Sequence, residues 1–393
     1  GREVRDRVES AIVYVGGLGE LGGLEAVLST VLGAYRLEAF RGERSVRLRE
    51  LKVAGGVDLE YVSAVAEGVY LARDIANAPP NALTPKTLAS EVERLFSGLK
   101  GVEVEVLDYG RLVREGFGGI VSVGKGSEEK PTLTIVRYRG GGRRVALVGK
   151  AVVFDSGGIN LKPSQGMTYM RADKAGGAAV LGAVWAAARL GLNLDIYALV
   201  PAVINVPSGS SYLPSDVIRM WDGTWVEVTN TDAEGRLILA DAMAYAAERL
   251  GAEVVVDLAT LTGAIVVALG PLVAGLFTRD EELARVVEEA SRASGERVWR
   301  MPMIDDYSKP MKSGAQVGDI INAWQRYGGA IFGALFLERF AHGRKHVHLD
   351  IAGPGIAYEA GQLTPEYWPD RGLAPGYGVR LLVEALRRMG GGG

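Results

Sequence analysis

The chain reads as an α/β protein: a mixed, mainly parallel sheet flanked by helices, with a small N-terminal segment ahead of it. Two observations predict this. From residue 102 onward, β-rich runs alternate with helical patterns long enough to cross back over a sheet. At 393 residues the chain also exceeds one comfortable core, so it holds either two domains or one large α/β domain.

Residues 1–55 are mixed, with an apolar run at Ala11–Val15, a Gly-rich turn, then helical spacing through Leu24, Leu28 and Leu32. This stretch is small for a domain, and 1–58 is read as a separate N-terminal segment. Helical spacing covers 59–77, after which Asn77-Ala-Pro-Pro-Asn-Ala-Leu-Thr-Pro85 breaks the chain. Consecutive prolines forbid helix there, while Thr84 as cap and Pro85 in the first turn open the next one. Val102–Leu107 predicts a strand and Tyr109–Glu115 a short helix. Thr132–Tyr138 and Arg144–Val148 are β-rich runs separated by Gly140-Gly-Gly142, a hairpin-like spacing. The Gly- and Ala-rich stretch Ala175–Leu190 predicts a buried helix ahead of a strand at Leu194–Val200. A helix over 236–250 precedes a strand at Val254–Asp257, and a further helix spans 280–294. There is no internal repeat and no long low-complexity linker.

Composition narrows the function. Hydrophobic residues make up 48% and charged residues 23%, an ordinary globular balance. A net charge of -3 gives no basic footprint for nucleic acid and no polybasic membrane signal. The absence of cysteine excludes disulfides, thiolate zinc sites, iron–sulfur clusters and cysteine nucleophiles. Gly1-Arg-Glu-Val-Arg-Asp-Arg7 leads into no signal-type apolar core, and no stretch reaches the ~18 apolar residues of a membrane span. A cytoplasmic protein is the expectation.

Chemistry concentrates in seven residues: Lys150, Asp155, Lys162, Asp173, Asp232, Glu234 and Arg236. Hard oxygen ligands ringed by cations suit a pair of divalent metals that activate water and polarise a carbonyl. Each member has a plainer reading. In Asn230-Thr-Asp-Ala-Glu-Gly-Arg236, Thr231 and Glu234 could form a helix capping box. That leaves Asp232 unexplained, and Arg236 in a first helical turn opposes the helix dipole, so an anionic partner is expected. Asp155 ends an apolar run and precedes Gly157-Gly158, where a plain turn aspartate is common. Lys150 lies five residues earlier, on the opposite face of a regular strand, so sharing one site with Asp155 requires a local bend. A lysine in so apolar a run must be exposed, paired or neutral, and a neighbouring dication favours the neutral form. Lys162 alone would be a surface lysine, and Asp173 alone an N-cap. Their conjunction at strand ends and helix starts marks where α/β folds bind ligands.

Two other features carry less. Gly119-Ile-Val-Ser-Val-Gly-Lys-Gly126 misses the phosphate-loop pattern, because Gly126 stands where Ser or Thr would hold magnesium. His342, His346 and His348 are the three histidines, the latter two on one face of a strand, and a structural or interface role is favoured over a metal site.

At these residues the chain resembles the leucyl aminopeptidase family of di-metal exopeptidases, from about residue 70 to the C-terminus. The matching blocks are Leu71-Ala-Arg-Asp, Asn77-Ala-Pro-Pro-Asn, Phe154-Asp-Ser-Gly-Gly, Leu161-Lys-Pro, Met170-Arg-Ala-Asp173, Asn230-Thr-Asp-Ala-Glu-Gly-Arg236, Ala259-Thr-Leu-Thr-Gly-Ala264 and His348-Leu-Asp-Ile-Ala-Gly353. The resemblance implies a catalytic domain over 59–393 and two divalent metals (Zn²⁺, Mn²⁺ or Mg²⁺) bridged by Asp155 and Glu234. Asp232 would complete the looser site; Lys150 and Asp173 would complete the tighter one. Lys162 would polarise the scissile carbonyl, and Arg236 would hold a bicarbonate acting as general base. Met170 would line the pocket for the N-terminal side chain, with Thr260–Thr262 contacting the substrate. Peptide substrates with leucine or other apolar N-termini and a homohexameric assembly are implied as well.

The departures are a short N-terminal segment, Ala151 where Gly is usual, Ile204 where Glu is frequent, and Lys174 where Met is usual. Lys174 is expected to bring another cation near the metals, weakening them or altering substrate preference. Two rival readings are another two-metal hydrolase, such as a phosphoesterase, and a scaffold or DNA-binding member that has lost activity. The first usually enlists histidine, absent from this constellation, and the second fits poorly with seven intact residues and no basic stripe.

Overall fold

The computed structural model describes residues 8–40, 42, 48–356, 363–370 and 372–391, so the charged stretch 1–7 lies outside the described residues. The N-terminal segment pairs β1 (Ser10–Tyr14) with β2 (Glu50–Ala54) in parallel, and α1 (Gly19–Gly33) connects toward the body of the protein. Next come α2 (Leu59–Asn77) and α3 (Pro85–Phe96). Thr84 caps α3 by accepting from Thr87 N, with Pro85 in the first turn, as the sequence predicts.

Nine strands of the described residues form the main sheet. They are β3 (Val102–Leu107), β4 (Thr132–Arg139), β5 (Arg143–Gly149), β6 (Ala151–Asp155), β7 (Leu194–Asn205), β10 (Val254–Ala259), β11 (Ala274–Phe277), β12 (Val298–Arg300) and β14 (Lys345–Asp350). The intervening β8 (Val217–Arg219), β9 (Trp225–Glu227) and β13 (Ile320–Ile321) make a separate small sheet. The main order is β12-β11-β14-β10-β5-β7-β4-β3, with β6 prolonging β5 alongside β7. The centre is parallel, while β3–β4, β4–β7 and β11–β14 pair antiparallel.

The hairpin-like spacing at Gly140–Gly142 does not produce a hairpin. β7 is inserted between β4 and β5, so these two runs never pair. The glycines instead let the connection cross under the entry to β7. A Cβ on Gly140 would lie 2.1 Å from Leu192 O, and one on Gly142 would lie 2.4 Å from Asn193 O.

Side chains alternate between two apolar layers, the period-two pattern of a sheet covered on both faces. Val145 and Leu147 of β5 face one layer with α2, with α4 (Ala175–Arg189) and with α8 (Val379–Met389). Ala146 and Val148 face the other, with α5 (Gly235–Ala244) and α7 (Gly329–Arg339). Between these last two in sequence lies α6 (Glu281–Ser294), capped by Asp280. The expected helix over 236–250 is α-helical only to Ala244, and a π-turn covers Tyr245–Arg249. The Gly-rich stretch near 119 is a short helix, Gly118–Gly124, packed on α5: a Cβ on Gly119 would lie 2.4 Å from Leu237 O. Its glycines serve close packing.

His346 and His348 on β14 both face Asp257 on β10. Their Nε2 and Nδ1 atoms lie 2.7 Å from the two carboxylate oxygens, all fully or nearly buried. This is the structural role favoured from sequence. Burial raises Asp257, but the imidazoles outweigh it and hold it below the usual carboxylate range. Burial lowers His348, and the Asp257 charge outweighs it in turn, leaving His348 raised. Removing one partner of a buried pair leaves the other uncompensated, so Asp257→Ala should cost about 3–5 kcal/mol, read from urea midpoints. Because His348 is raised on folding, its contribution is full below about pH 6.5 and fades as pH climbs through the folded value. The wild-type urea midpoint should therefore fall across that window, and His348→Asn should lose that fall.

Candidate metal centre

The site forms where the carboxyl ends of β6, β7 and β10 meet the start of α5, the position at which open α/β sheets receive ligands. The bend required between Lys150 and Asp155 is present. Val152 pairs with Val203 while Phe154 pairs with Ile204, leaving Val153 as an extra residue in β6. One bulged residue reverses the alternation, so Asp155 comes to the face shared by Lys150 and α5. Asp155 then pairs across with Asn205, whose Nδ2 donates to its Oδ1 at 2.8 Å.

Four carboxylates converge on two lysines. Lys150 Nζ lies 2.9 Å from Asp173 Oδ2 and 2.8 Å from Glu234 Oε1. Lys162 Nζ lies 2.7 Å from Asp155 Oδ2 and contacts Asp232 Oδ1. Oxygens of Asp155, Asp232 and Glu234 fall within 4.8 Å of one another, a spacing that can hold a metal ion. The Lys150 contacts are ion pairs without aligned hydrogen bonds: Asp173 Oδ2 and both Glu234 oxygens are buried acceptors with no hydrogen-bond partner.

Four carboxylates against two ammonium groups leave a formal excess of two negative charges in a largely buried space. Titration reflects that excess. Burial first, then the Asp155 charge, pushes Glu234 up to about 8, and burial pushes Asp173 up to about 6. Asp232 is raised for the same reason. Burial lowers both lysines, but the carboxylates outweigh it and hold each above its ordinary value. Orphaned carboxylate oxygens and unbalanced negative charge fit divalent cations. Lys150 can join them as a ligand only by giving up its proton, which a dication beside it would favour.

The capping readings of these residues do not hold, whereas Asp155 does also serve its turn, its Oδ1 accepting from Gly157 N at 2.9 Å. Thr231 makes no capping box: its hydroxyl donates to Gly157 O and accepts from Asn160 N, and Glu234 occupies the N-cap of α5 without a side-chain cap. Asp173 is not the N-cap of α4, a position held by Lys174, and its Oδ1 accepts from Thr260 Oγ1 at 2.6 Å. Gly235 gives Lys150 its passage: a Cβ there would lie 2.7 Å from Lys150 Cε.

Arg236 is nearly buried and makes no ion pair among the described residues. Its Nη1 donates to Asn322 O at 2.9 Å, its guanidinium stands 5.7 Å from the Phe332 ring centroid, and its Nε has no partner. Burial pulls it down to about 10. The anionic partner expected for Arg236 is therefore not a carboxylate of the described residues. Thr260 and Thr262 are buried on the loop after β10, and Thr262 caps the short helix Gly263–Leu269. Met170 is half-buried in the turn Met167–Ala172, against the layer that contains α2 and α4.

The departures are accommodated. Ala151 meets Gly177, where a Cβ would approach its methyl to 2.9 Å, so the extra carbon has room. Ile204 alternates with Asn205 and faces away from the carboxylates. Lys174 is buried, yet its Nζ donates to Ala78 O, Val153 O and Arg171 O and pairs with none of the four carboxylates. Burial pulls it down to about 7.

Supporting residues escaped the sequence reading. Asn205 holds Asp155 and also donates to Thr231 O. Asn322 donates to Asn230 O, and its Oδ1 accepts from Thr229 N. Asp350 accepts from Leu261 N and Thr262 Oγ1. Asn322 and Asp350 lie some ninety residues from their partners, with no local spacing to announce them.

Comparison with known proteins shows the family. The profile of the cytosol aminopeptidase family, catalytic domain, matches residues 70–383. The probable cytosol aminopeptidase of Aeropyrum pernix is 69% identical over 394 residues, covering 100% of this chain and 80% of that protein. Its counterpart in Chlorobaculum tepidum is 45% identical, covering 93% of this chain and 74% of that protein. Among solved structures, the bottromycin maturation enzyme BotP in complex with Mn superposes with a TM-score of 0.90 at 36% identity, covering 98% of this chain and 84% of that one. The chain therefore belongs to the cytosol aminopeptidase family, a family of metallo-exopeptidases that use divalent metals.

Proposed function

We propose that residues 59–393 form a di-metal aminopeptidase domain that removes apolar residues, leucine foremost, from the N-termini of peptides. The observation that carries this is the buried excess of negative charge shared by Asp155, Asp173, Asp232 and Glu234. Residues 1–58 form the N-terminal segment, and a cytoplasmic homohexamer is the assembly the family resemblance suggests.

Asp155 and Glu234 would bridge two cations, with Lys150 and Asp173 completing one site and Asp232 the other. When bound, Zn²⁺ or Mn²⁺ supplies a water activated at neutral pH and a Lewis acid for the carbonyl. Lys162, once its carboxylate partners are neutralised by cations, is free to donate an N–H to the scissile carbonyl oxygen as negative charge develops there. Arg236 offers its unpartnered Nε to an anion such as bicarbonate, placed as general base. The Thr260–Thr262 loop, strapped by Asp350, presents backbone groups to the peptide, and Met170 borders the N-terminal side chain. In the net reaction the amide C–N bond breaks, the water's hydroxyl joins the carbonyl carbon, and a proton reaches the leaving amine.

Asp232→Asn and Glu234→Gln should each abolish leucyl p-nitroanilide turnover while leaving the circular dichroism spectrum intact; full activity in either sinks the site assignment. Elemental analysis should find about two divalent ions per chain in the wild type and fewer in Gly235→Ala, whose methyl displaces Lys150. Lys162→Ala should lower kcat about 100- to 1,000-fold, the range for loss of one oxyanion donor. Arg236→Ala should lose any rate gain from added bicarbonate. Turnover of p-nitrophenyl phosphate in place of the anilide would favour the phosphoesterase reading.

A further inference from the structure

Lys174 is a charged residue of the site region that the proposed reaction leaves unused. It is fully buried, and its Nζ makes no ion pair among the described residues. A lysine without a carboxylate in such a place is costly to keep. Its surroundings match it in number. An ammonium group has three N–H donors, and three backbone carbonyls receive them: Ala78 O at 2.9 Å, Val153 O at 3.4 Å, and Arg171 O.

Those carbonyls belong to three separate pieces of the site. Ala78 is the residue that ends α2. Val153 is the bulged residue of β6 that turns Asp155 onto the face of Lys150. Arg171 is the penultimate residue of the turn Met167–Ala172, two residues before Asp173. The two carboxylates so flanked come from strand and turn segments some twenty residues apart, and among the described residues no other side-chain hydrogen bond joins the bulge to that turn.

We infer that Lys174 is a positioning residue: its amine ties the β6 bulge, the turn before Asp173 and the end of α2 into one frame that fixes the spacing of the metal ligands. The inference rests on the metal-site reading given above. It predicts the opposite of a through-space effect. A nearby cation acting only by repulsion would weaken metal binding, so its removal would strengthen it. A brace acts the other way, and its removal leaves the carbonyls unheld and the ligands loosely spaced.

The test is Mn²⁺ binding to the metal-free full chain, followed by electron paramagnetic resonance, for wild type, Lys174→Met and Lys174→Gln. Methionine keeps the length without donors; glutamine keeps two donors at shorter reach. Lys174→Met should bind Mn²⁺ roughly 10- to 100-fold more weakly, the range for loss of a group supporting metal ligands. Lys174→Gln should fall between it and wild type, and saturating Mn²⁺ should restore much of kcat in both. Unchanged or tighter binding in Lys174→Met overturns the brace. So does failure of both variants to fold, which would make the residue structural only. A wild type that binds no Mn²⁺ overturns the metal-site reading instead.

Discussion

Everything at the carboxyl edge of the sheet depends on a single extra residue in β6. Without the bulge at Val153, strict alternation would send Asp155 into the apolar layer of α2 and α4, away from Lys150 and Glu234. With it, Asp155 stands opposite Asn205 and its carboxylate joins three others. The structure protects this irregularity from several sides. Gly177 N donates to Lys150 O, Lys150 N donates to Leu258 O, and Ser156 N donates to Asn205 O, so backbone bonds flank the slipped register. A bulge so enclosed is a designed feature of the sheet.

The second constraint is electrostatic. Gathering four carboxylates in a space from which water is largely excluded is unfavourable, and two lysines meet only half of the charge. The chain tolerates the arrangement by letting Glu234 and Asp173 drift toward their protonated forms and by holding the lysines as ammonium ions. Such a centre is frustrated by itself and relaxed by divalent cations. Binding thereby couples to proton release, since raised carboxyls and an ammonium must all lose their protons before they can act as ligands.

Much of this was legible in the letters. The strand at Val102–Leu107, the helix over 59–77 and the Thr84-Pro85 helix start are local patterns, and they fold as local patterns predict. The site was legible because its residues sit in short blocks, and the parity of Lys150 and Asp155 alone requires a bend. The hairpin expected at Gly140–Gly142 failed because pairing is decided by β7, fifty residues later, while glycine serves both a tight turn and a close crossing. Asn322, Asp350 and the inward turn of Lys174 were illegible for a related reason: each acts across distances in sequence at which no periodicity survives. A charge in sequence has no direction, so the letters place Lys174 beside the site without showing that its amine turns to backbone carbonyls.

The insertion of β7 between β4 and β5 also bears on how the chain reaches this state. β4 and β5 are made first and must wait for residues 194–205 before either gains its shared neighbour. During synthesis both strands therefore present open, apolar edges, and the sheet closes only through long-range contacts that are slow to form. Between ribosomal exit of residue 149 and residue 205 both strands lack that neighbour, and β5 waits further for β10 at 254–259, an interval in which a chaperone would have open edges to shield.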